Sequence, residues 1–192
     1  MKREIMKRIR LGLYLPVTLA LVSLAACSDD PETTNEEEVI TTVTVTLKTS
    51  PTDLNPVVLS WDDANLNAIV DEGEITTSGV LVIDKAYTAS ISLLNQDADV
   101  TDEIEEEAKD HIFCFEADDV DITFSGFDTD SNGQRLGLTS TWTTGDASTG
   151  TVNIKLRHQP GFKTGDCPLP GDPAPGETDV DITFDLEIVG PL

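Results

Sequence analysis

The chain has 192 residues, of which 36 are acidic and 12 are basic, and its formal charge is −24 at pH 7. A surface of this charge repels nucleic-acid phosphates, which excludes DNA or RNA as the principal partner, and it attracts divalent cations and basic partners instead. The length suits one domain with its own hydrophobic core.

The first segment of the chain has the pattern of a signal peptide. Basic residues come first, and an apolar run from Leu11 to Ala26 follows and ends in small side chains. This order is typical of secretion signals, and the run is shorter than the about 20 apolar residues that span a membrane. Residues 24–27, "LAAC", resemble a bacterial lipobox, which implies a signal peptide over 1–26 and lipid attachment at Cys27. The alternative is an ordinary signal peptide with a cysteine nearby.

An acidic segment follows the predicted lipid site. Residues 28–30, "SDD", resemble the signal that sends Bacteroidota lipoproteins to the cell surface, which implies the outer face of the outer membrane. A periplasmic lipoprotein with a solvated linker is the alternative. Residues 28–38 contain no apolar side chain, so residues 27–38 are predicted to form a disordered acidic tether. Because residues 1–26 hold five basic residues and one acidic residue, the 166 residues from Cys27 onward carry a formal charge near −28.

Residues 39–192 have the pattern of a single all-β domain. Apolar and polar residues alternate in short runs separated by Gly, Asp, Asn and Pro, which is typical of half-buried strands joined by turns. Nine strands are predicted, at residues 43–47, 56–61, 79–83, 86–95, 111–117, 120–127, 135–142, 149–158 and 179–189. This spacing predicts an Ig-like, Greek-key β-sandwich of about eight or nine strands.

One segment, "TDEIEEEAKDH" at residues 101–111, is rich in helix formers instead. Asp102 and Glu105 have the spacing of a capping box, so a short helix is predicted over 102–110. On such a helix Ile104 and Ala108 share one face, which we expect to pack against the core.

Several blocks of the chain, together with the lipobox, resemble one protein family. They are "NEEEVITTVTVTL", "TDEIEEEAKDH", "DTDSNGQRLGL", "TTGDASTGTVNIKLRHQP" and "GETDVDITFDLEI". They are similar to small Bacteroidota lipoproteins usually labelled "type 1 periplasmic binding fold superfamily protein", and the resemblance covers nearly all of the chain after residue 26. It implies a lipid-anchored envelope protein and names no activity. The label implies two α/β lobes with long helices, whereas the strand pattern here predicts an all-β fold.

Residues 63–74, "DANLNAIVDEGE", have the spacing of a calcium-binding loop. Oxygen-bearing side chains stand at positions 1, 3, 5, 9 and 12 of that template, namely Asp63, Asn65, Asn67, Asp71 and Glu74. Calcium takes six to eight oxygen ligands, and this spacing turns them toward a common centre. Ala68 stands where the template has glycine, so a polar loop between two strands is the alternative.

Residues 128–133, "DTDSNG", repeat the first half of the same template with Asp128, Asp130 and Asn132. Thr139 occupies the twelfth place, where calcium loops have an acid. Asn132 and Gly133 also form a strong hairpin signal, because both residues tolerate positive φ. The sequence predicts a hairpin turn here, with which a bound calcium ion is compatible.

Glu107, His111 and His158 are candidate zinc ligands. Glu107 and His111 are four residues apart and share a face if the helix extends that far, while His158 ends a predicted strand. If the three meet, they offer the nitrogen and oxygen ligands that zinc prefers. The alternative is that both histidines are ordinary strand-end or surface residues.

Two cysteines remain after residue 27. Cys114 lies in a predicted strand and Cys167 in a Gly- and Pro-rich loop. The predicted extracytoplasmic location permits a disulfide between them, and a buried thiol at Cys114 is the alternative.

The sequence holds no nucleophile, zinc-protease or phosphate-binding motif, so no enzymatic activity and no cofactor other than calcium is expected. Trp61 and Trp142 have the residue type that stacks on sugars, but core packing is the ordinary role of tryptophan in a sandwich. The chain is therefore expected to be an anchored binding or accessory lipoprotein that captures a ligand or docks on an outer-membrane transporter or another envelope protein. The alternative is a structural or adhesive envelope protein with calcium-binding loops.

Overall fold

The computed structural model describes residues 39–167 and 176–191. The predicted signal peptide, the lipid site at Cys27 and the tether 27–38 lie outside the described residues. None of the helices in this described part of the chain has the length and the apolar character of a membrane span. The described residues belong to one compact unit.

Strands dominate the described residues, and one short helix interrupts them. In chain order the elements are β1 (Thr42–Lys48), β2 (Val57–Asp62), β3 (Ile75–Ser78), β4 (Leu81–Val82), β5 (Ala86–Asn95), β6 (Ala98–Asp99), α1 (Thr101–Glu106), β7 (His111–Asp118), β8 (Ile122–Ser125), β9 (Thr139–Thr144), β10 (Ser148–His158) and β11 (Glu177–Val189). The short strands β3 and β6 were not among the nine predicted runs.

The strands form two sheets. The larger has the order β3-β2-β1-β5-β9-β8, with β6 paired to β5, and the smaller has the order β4-β11-β10-β7. All neighbours are antiparallel except β4 and β11, which are parallel. In the larger sheet β1, β2 and β3 are consecutive neighbours and β5 returns to the other side of β1, which is the Greek-key arrangement. The prediction of an all-β sandwich is confirmed.

The core lies between the two sheets and follows from the period of two along each strand. In β1, for example, Val43, Val45 and Leu47 are buried while the threonines between them are half-buried. Burying one such side chain stabilises the fold by about 1.5–3 kcal/mol. Trp61 and Trp142 are also buried, and Trp142 packs edge-on against Phe124. Neither indole is therefore available to stack on a sugar.

Helix α1 is shorter than the predicted helix over 102–110. It ends at Glu106, and Glu107 has φ −95° and ψ 24°. The last turn has acidic residues and no basic one, which the negative end of the helix dipole disfavours. The predicted capping box is wrong, because the amide of Thr101 donates to Asp99 (2.9 Å) and the N-cap makes no side-chain bond. Ile104 is buried against the core, as predicted.

Candidate functional site

The loop over residues 63–74 connects β2 to β3 and folds around the carboxylate of Asp63. Asp63 Oδ1 accepts a hydrogen bond from the amide of Asn67 (3.1 Å), and Oδ2 accepts one from the amide of Ala68 (2.8 Å). Ala68 has φ 57°, so it adopts the left-handed conformation for which the calcium-loop template uses glycine. The backbone therefore makes the template's sharp turn without the glycine.

The other predicted ligands of this loop hydrogen-bond to one another. Asn65 and Asn67 donate through their side-chain amides to Asp71 Oδ2, at 2.7 and 2.9 Å. These two bonds hold the pKa of Asp71 below its usual value. Glu74 Oε2 accepts the amide of Asp71 at 3.0 Å. The structure thus gathers these side chains into one network, with the amide nitrogens of both asparagines turned toward Asp71.

The turn over residues 128–134 is the predicted hairpin. Gly133 has φ 78°, its amide donates to the carbonyl of Asp130 (3.0 Å), and the amide of Asp130 donates to the carbonyl of Gln134 (2.8 Å). Asp130 Oδ1 also accepts the amides of Asn132 and Gln134, at 2.8 and 2.9 Å. Positive φ occurs at Gly133 and not at Asn132.

The carboxylates of this turn already have partners inside the protein. Asp128 Oδ1 accepts the amides of Gly137 and Thr139, each at 2.9 Å. Asp130 Oδ2 lies 3.2 Å from Nζ of Lys163, and both side chains are buried. A calcium ion at this turn would therefore compete with Lys163 for Asp130.

The two histidines meet at one end of the smaller sheet. His111 begins β7, His158 ends β10, and the antiparallel register places them directly opposite each other. Both lie in the alternating series that faces the core, and both are buried. Their rings are stacked, with centroids 4.5 Å apart and planes within 9°. Ligand atoms of Glu107, His111 and His158 all lie within 4.8 Å of one another.

A second carboxylate reaches the histidines from β11. Val180 pairs with Leu156 and Thr178 pairs with Arg157, so Asp179 is the extra residue of a β-bulge. Bulges re-aim side chains, and the Asp179 side chain is 1% exposed with Oδ2 4.0 Å from His111 Nε2. Sequence reasoning missed Asp179, because strict alternation along 179–189 places it on the outer face beside a buried Val180.

The surroundings of His111 favour its neutral form. Burial, followed by the nearby His158, lowers the pKa of His111 to about 4. Its Nδ1 lies 3.2 Å from the carbonyl oxygen of Glu107. A carbonyl only accepts, so Nδ1 carries the proton and Nε2 of the neutral ring keeps its lone pair.

A cavity of about 350 Å³ opens beside this cluster. It lies between the start of the domain, the 63–68 part of the loop and the bulge of β11. Its lining combines apolar and polar side chains: Val39, Ile40, Thr41, Asp63, Leu66, Ala68, Gln96, Thr178 and Asp179. The cavity and the histidine cluster therefore adjoin at Asp179, and sequence reasoning did not find the cavity because its walls come from distant parts of the chain.

A disulfide joins Cys114 and Cys167, with their Cα atoms 5.6 Å apart. Cys114 lies in β7, next to the buried Phe113, so its side chain points to the outer face of the smaller sheet. The bond fastens the segment after β10 to the edge strand of that sheet.

The described residues therefore define an all-β sandwich domain with a cavity and a buried histidine cluster at one end. Comparison of the chain with family models, with characterised proteins and with solved structures finds no match.

Proposed function

We propose that this protein is a lipid-anchored, non-catalytic binding protein of the cell envelope, which holds a small ligand in the cavity at the end of its sandwich. The observation that carries the proposal is the cavity of about 350 Å³, a volume within the range of small-molecule sites. The resemblance of the leader to a lipobox and of the chain to Bacteroidota lipoproteins supports the anchor at Cys27 and an outward-facing position on the outer membrane.

The lining indicates the chemical class of the ligand. Val39 and Leu66 offer apolar surface, and the buried carboxylates of Asp63 and Asp179 place negative charge just behind the wall. The strongly negative charge of the chain favours cations near any part of its surface. A small ligand with an apolar body and a positively charged group fits these walls best.

NMR spectra of the backbone amides can test whether small amines bind in the cavity. We would titrate the full chain with hexylamine and benzylamine, and with hexanoate and benzoate as matched anions. The amines are expected to shift the amide signals of residues 39–41, 63–68 and 178–179, and the anions are not. Equal responses to amines and anions, or shifts spread over the whole surface, would contradict the proposal.

Two exposed leucines provide a matched pair of variants. Leu66 lines the cavity and is 56% exposed, whereas Leu54 lies beyond the other end of β1 and is 90% exposed. Leu66→Ala is expected to weaken amine binding, by about fivefold for one lost apolar contact. Leu54→Ala should leave it unchanged.

The anchor has its own test. Cys27→Ser removes the sulfur that would carry the lipid, so the protein should move from the membrane fraction to the soluble fraction. Protease added to intact cells should digest the wild-type protein if it faces outward. Protection in intact cells together with membrane association would instead support the periplasmic alternative.

The loop over residues 63–74 favours a second candidate function, a structural envelope protein that calcium stabilises. Ala68 adopts the template's left-handed turn, and the carboxylate of Asp63 closes the loop at its amide. Calcium should then raise Tm more than magnesium at equal ionic strength, and Asp71→Asn should abolish the difference. Equal effects of both ions would reject calcium binding at this loop.

A further inference from the structure

We propose that Glu107, His111 and His158 form a binding site for a divalent transition-metal ion of the zinc type. The site differs from the cavity that carries the proposed function, and the proposal does not depend on a ligand in that cavity.

The ligand atoms of the three residues lie close enough to bind one metal ion after a small movement of the side chains. Ligand atoms of the three residues lie within 4.8 Å of one another, and ligands of tetrahedral zinc stand about 3.4 Å apart. The pairing of β7 with β10 fixes the backbones of the two histidines opposite each other, and their rings can turn about the side-chain bonds. Glu107 is exposed and follows the last residue of α1, so its side chain can approach the histidine rings without moving the sheets.

The two imidazole rings lie close together but are stacked, so at least one ring must turn before both direct an in-plane lone pair at the same ion. The Nδ1 of His111 donates a hydrogen bond to the backbone carbonyl of Glu107, which orients the ring as such contacts orient metal-bound imidazoles. His158 is 5% exposed, and its Nδ1 has no hydrogen-bond partner among the described residues. A buried nitrogen without a partner destabilises the fold, and a bound metal would offset this cost.

The donor set selects the kind of metal. Two imidazole nitrogens and a carboxylate suit zinc and its neighbours in the first transition row, whereas calcium and magnesium prefer oxygen ligands alone. Asp179 Oδ2 lies 4.0 Å from His111 Nε2 and adds negative charge beside the site. The nearby positive charge of Lys163 is balanced by Asp130 at 3.2 Å.

Zinc titration of the full chain tests the site. The protein would be purified in detergent, treated with chelator, and titrated with ZnCl₂ by calorimetry in the presence of excess magnesium. We expect one zinc ion per chain with a dissociation constant at or below about 1 μM, and a rise in Tm that magnesium does not reproduce. Weak zinc uptake that magnesium displaces would show nonspecific binding to the acidic surface and would overturn the proposal.

A pair of neighbouring glutamates supplies the control. Glu107→Gln should weaken zinc binding at least about tenfold, because it removes a charged ligand from an exposed position that the fold does not need. Glu106→Gln removes the same charge one residue earlier, outside the cluster, and should leave the affinity unchanged. Equal effects of the two substitutions would mean that surface charge, and not this cluster, binds zinc.

Cobalt gives a spectroscopic test that does not depend on stability. Co²⁺ in a tetrahedral site with two nitrogen ligands should give visible absorption bands, and His158→Asn should abolish them. Bands that persist in this variant would reject His158 as a ligand. Because amine binding in the cavity is measured separately, failure of the metal site and failure of the proposed function are distinguishable.

Discussion

Lys163 and Asp130 form a buried ion pair that ties three segments together. The Lys163 Nζ lies 3.2 Å from Asp130 Oδ2, and these side chains are 1% and 0% exposed. The same ammonium donates to the carbonyl of Ala108 at 2.6 Å. One side chain thus joins the turn after α1, the hairpin over 128–134 and the segment after β10.

Removing the lysine should destabilise the fold strongly. Lys163→Met leaves Asp130 as a buried carboxylate without its cation, so the free energy of unfolding should fall by about 3–5 kcal/mol, measured by urea denaturation. The exposed pair Lys155 and Asp181 has a shorter contact of 2.9 Å with side chains 38% and 49% exposed. Lys155→Met should therefore change stability by about 0–1 kcal/mol. An equal decrease in the free energy of unfolding in the two variants would contradict the expected difference between the buried and the exposed ion pair.

His111 should make the metal-depleted protein sensitive to acid. Its pKa is lowered from 6.5 to about 4 in the fold, and the groups around it are His158, Asp110, Lys163 and Asp179. Between these two pH values the unfolded chain binds a proton at His111 and the native chain does not. The free energy of unfolding is therefore unaffected by His111 above pH 6.5 and decreases as the pH falls from 6.5 toward 4.

The measurement compares wild type with His111→Asn, which has an amide near the position of Nδ1 but no titrating ring. With chelator present, urea denaturation should show wild type losing stability relative to the variant as the pH falls from 6.5 to about 4. A difference between the two proteins that stays constant over this range would mean that His111 does not titrate as described.

The disulfide between Cys114 and Cys167 holds the edge of the smaller sheet. Strand β7 is the last strand of that sheet, and the bond from Cys114 closes a loop of 53 residues. Restricting the unfolded chain in this way should stabilise the protein by about 4 kcal/mol. Replacing Cys114 and Cys167 by alanine should lower the free energy of unfolding by that amount. Reductant should lower it similarly in wild type and should not affect the variant; an unchanged wild type would contradict the prediction.

The sequence predicted the long strands better than the short ones, for a physical reason. In β11 the alternation runs through most of 13 residues, whereas β3 is "ITTS", in which only Ile75 is partly buried. Strand β6 has two residues and forms only by pairing with the end of β5. Such strands depend on their neighbours, so composition alone does not mark them.

At the candidate site too, the sequence indicates the residue types, and the neighbouring strands decide which residues meet. The residue types of Glu107, His111 and His158 indicated a metal cluster, but only the register of β7 against β10 brings the histidines together. Asp179 joins them through a bulge, which shifts alternation by one residue and leaves no mark in the sequence. The cavity likewise requires distant loops to meet.

The acidity of the chain destabilises its own folded state. A formal charge of −24 places like charges close together in the compact state, and self-repulsion destabilises that state. Salt screens such repulsion within a Debye length of about 10 Å at 0.1 M ionic strength. Raising the ionic strength should therefore raise Tm even with a salt that binds nowhere.

Sodium chloride should raise Tm steadily between about 10 mM and about 500 mM, because the screening length shortens about sevenfold over this range. The exposed acids of α1 offer a control, since Glu103, Glu105 and Glu106 lie outside the metal cluster and the last two lie near the negative end of the helix dipole. Changing all three to glutamine should raise Tm at low salt and reduce its salt dependence. If the variant and wild type respond equally to salt, the acidity of this region does not limit stability. A fall in Tm with salt would mean instead that attractive pairs, such as Lys155 with Asp181, outweigh the repulsion.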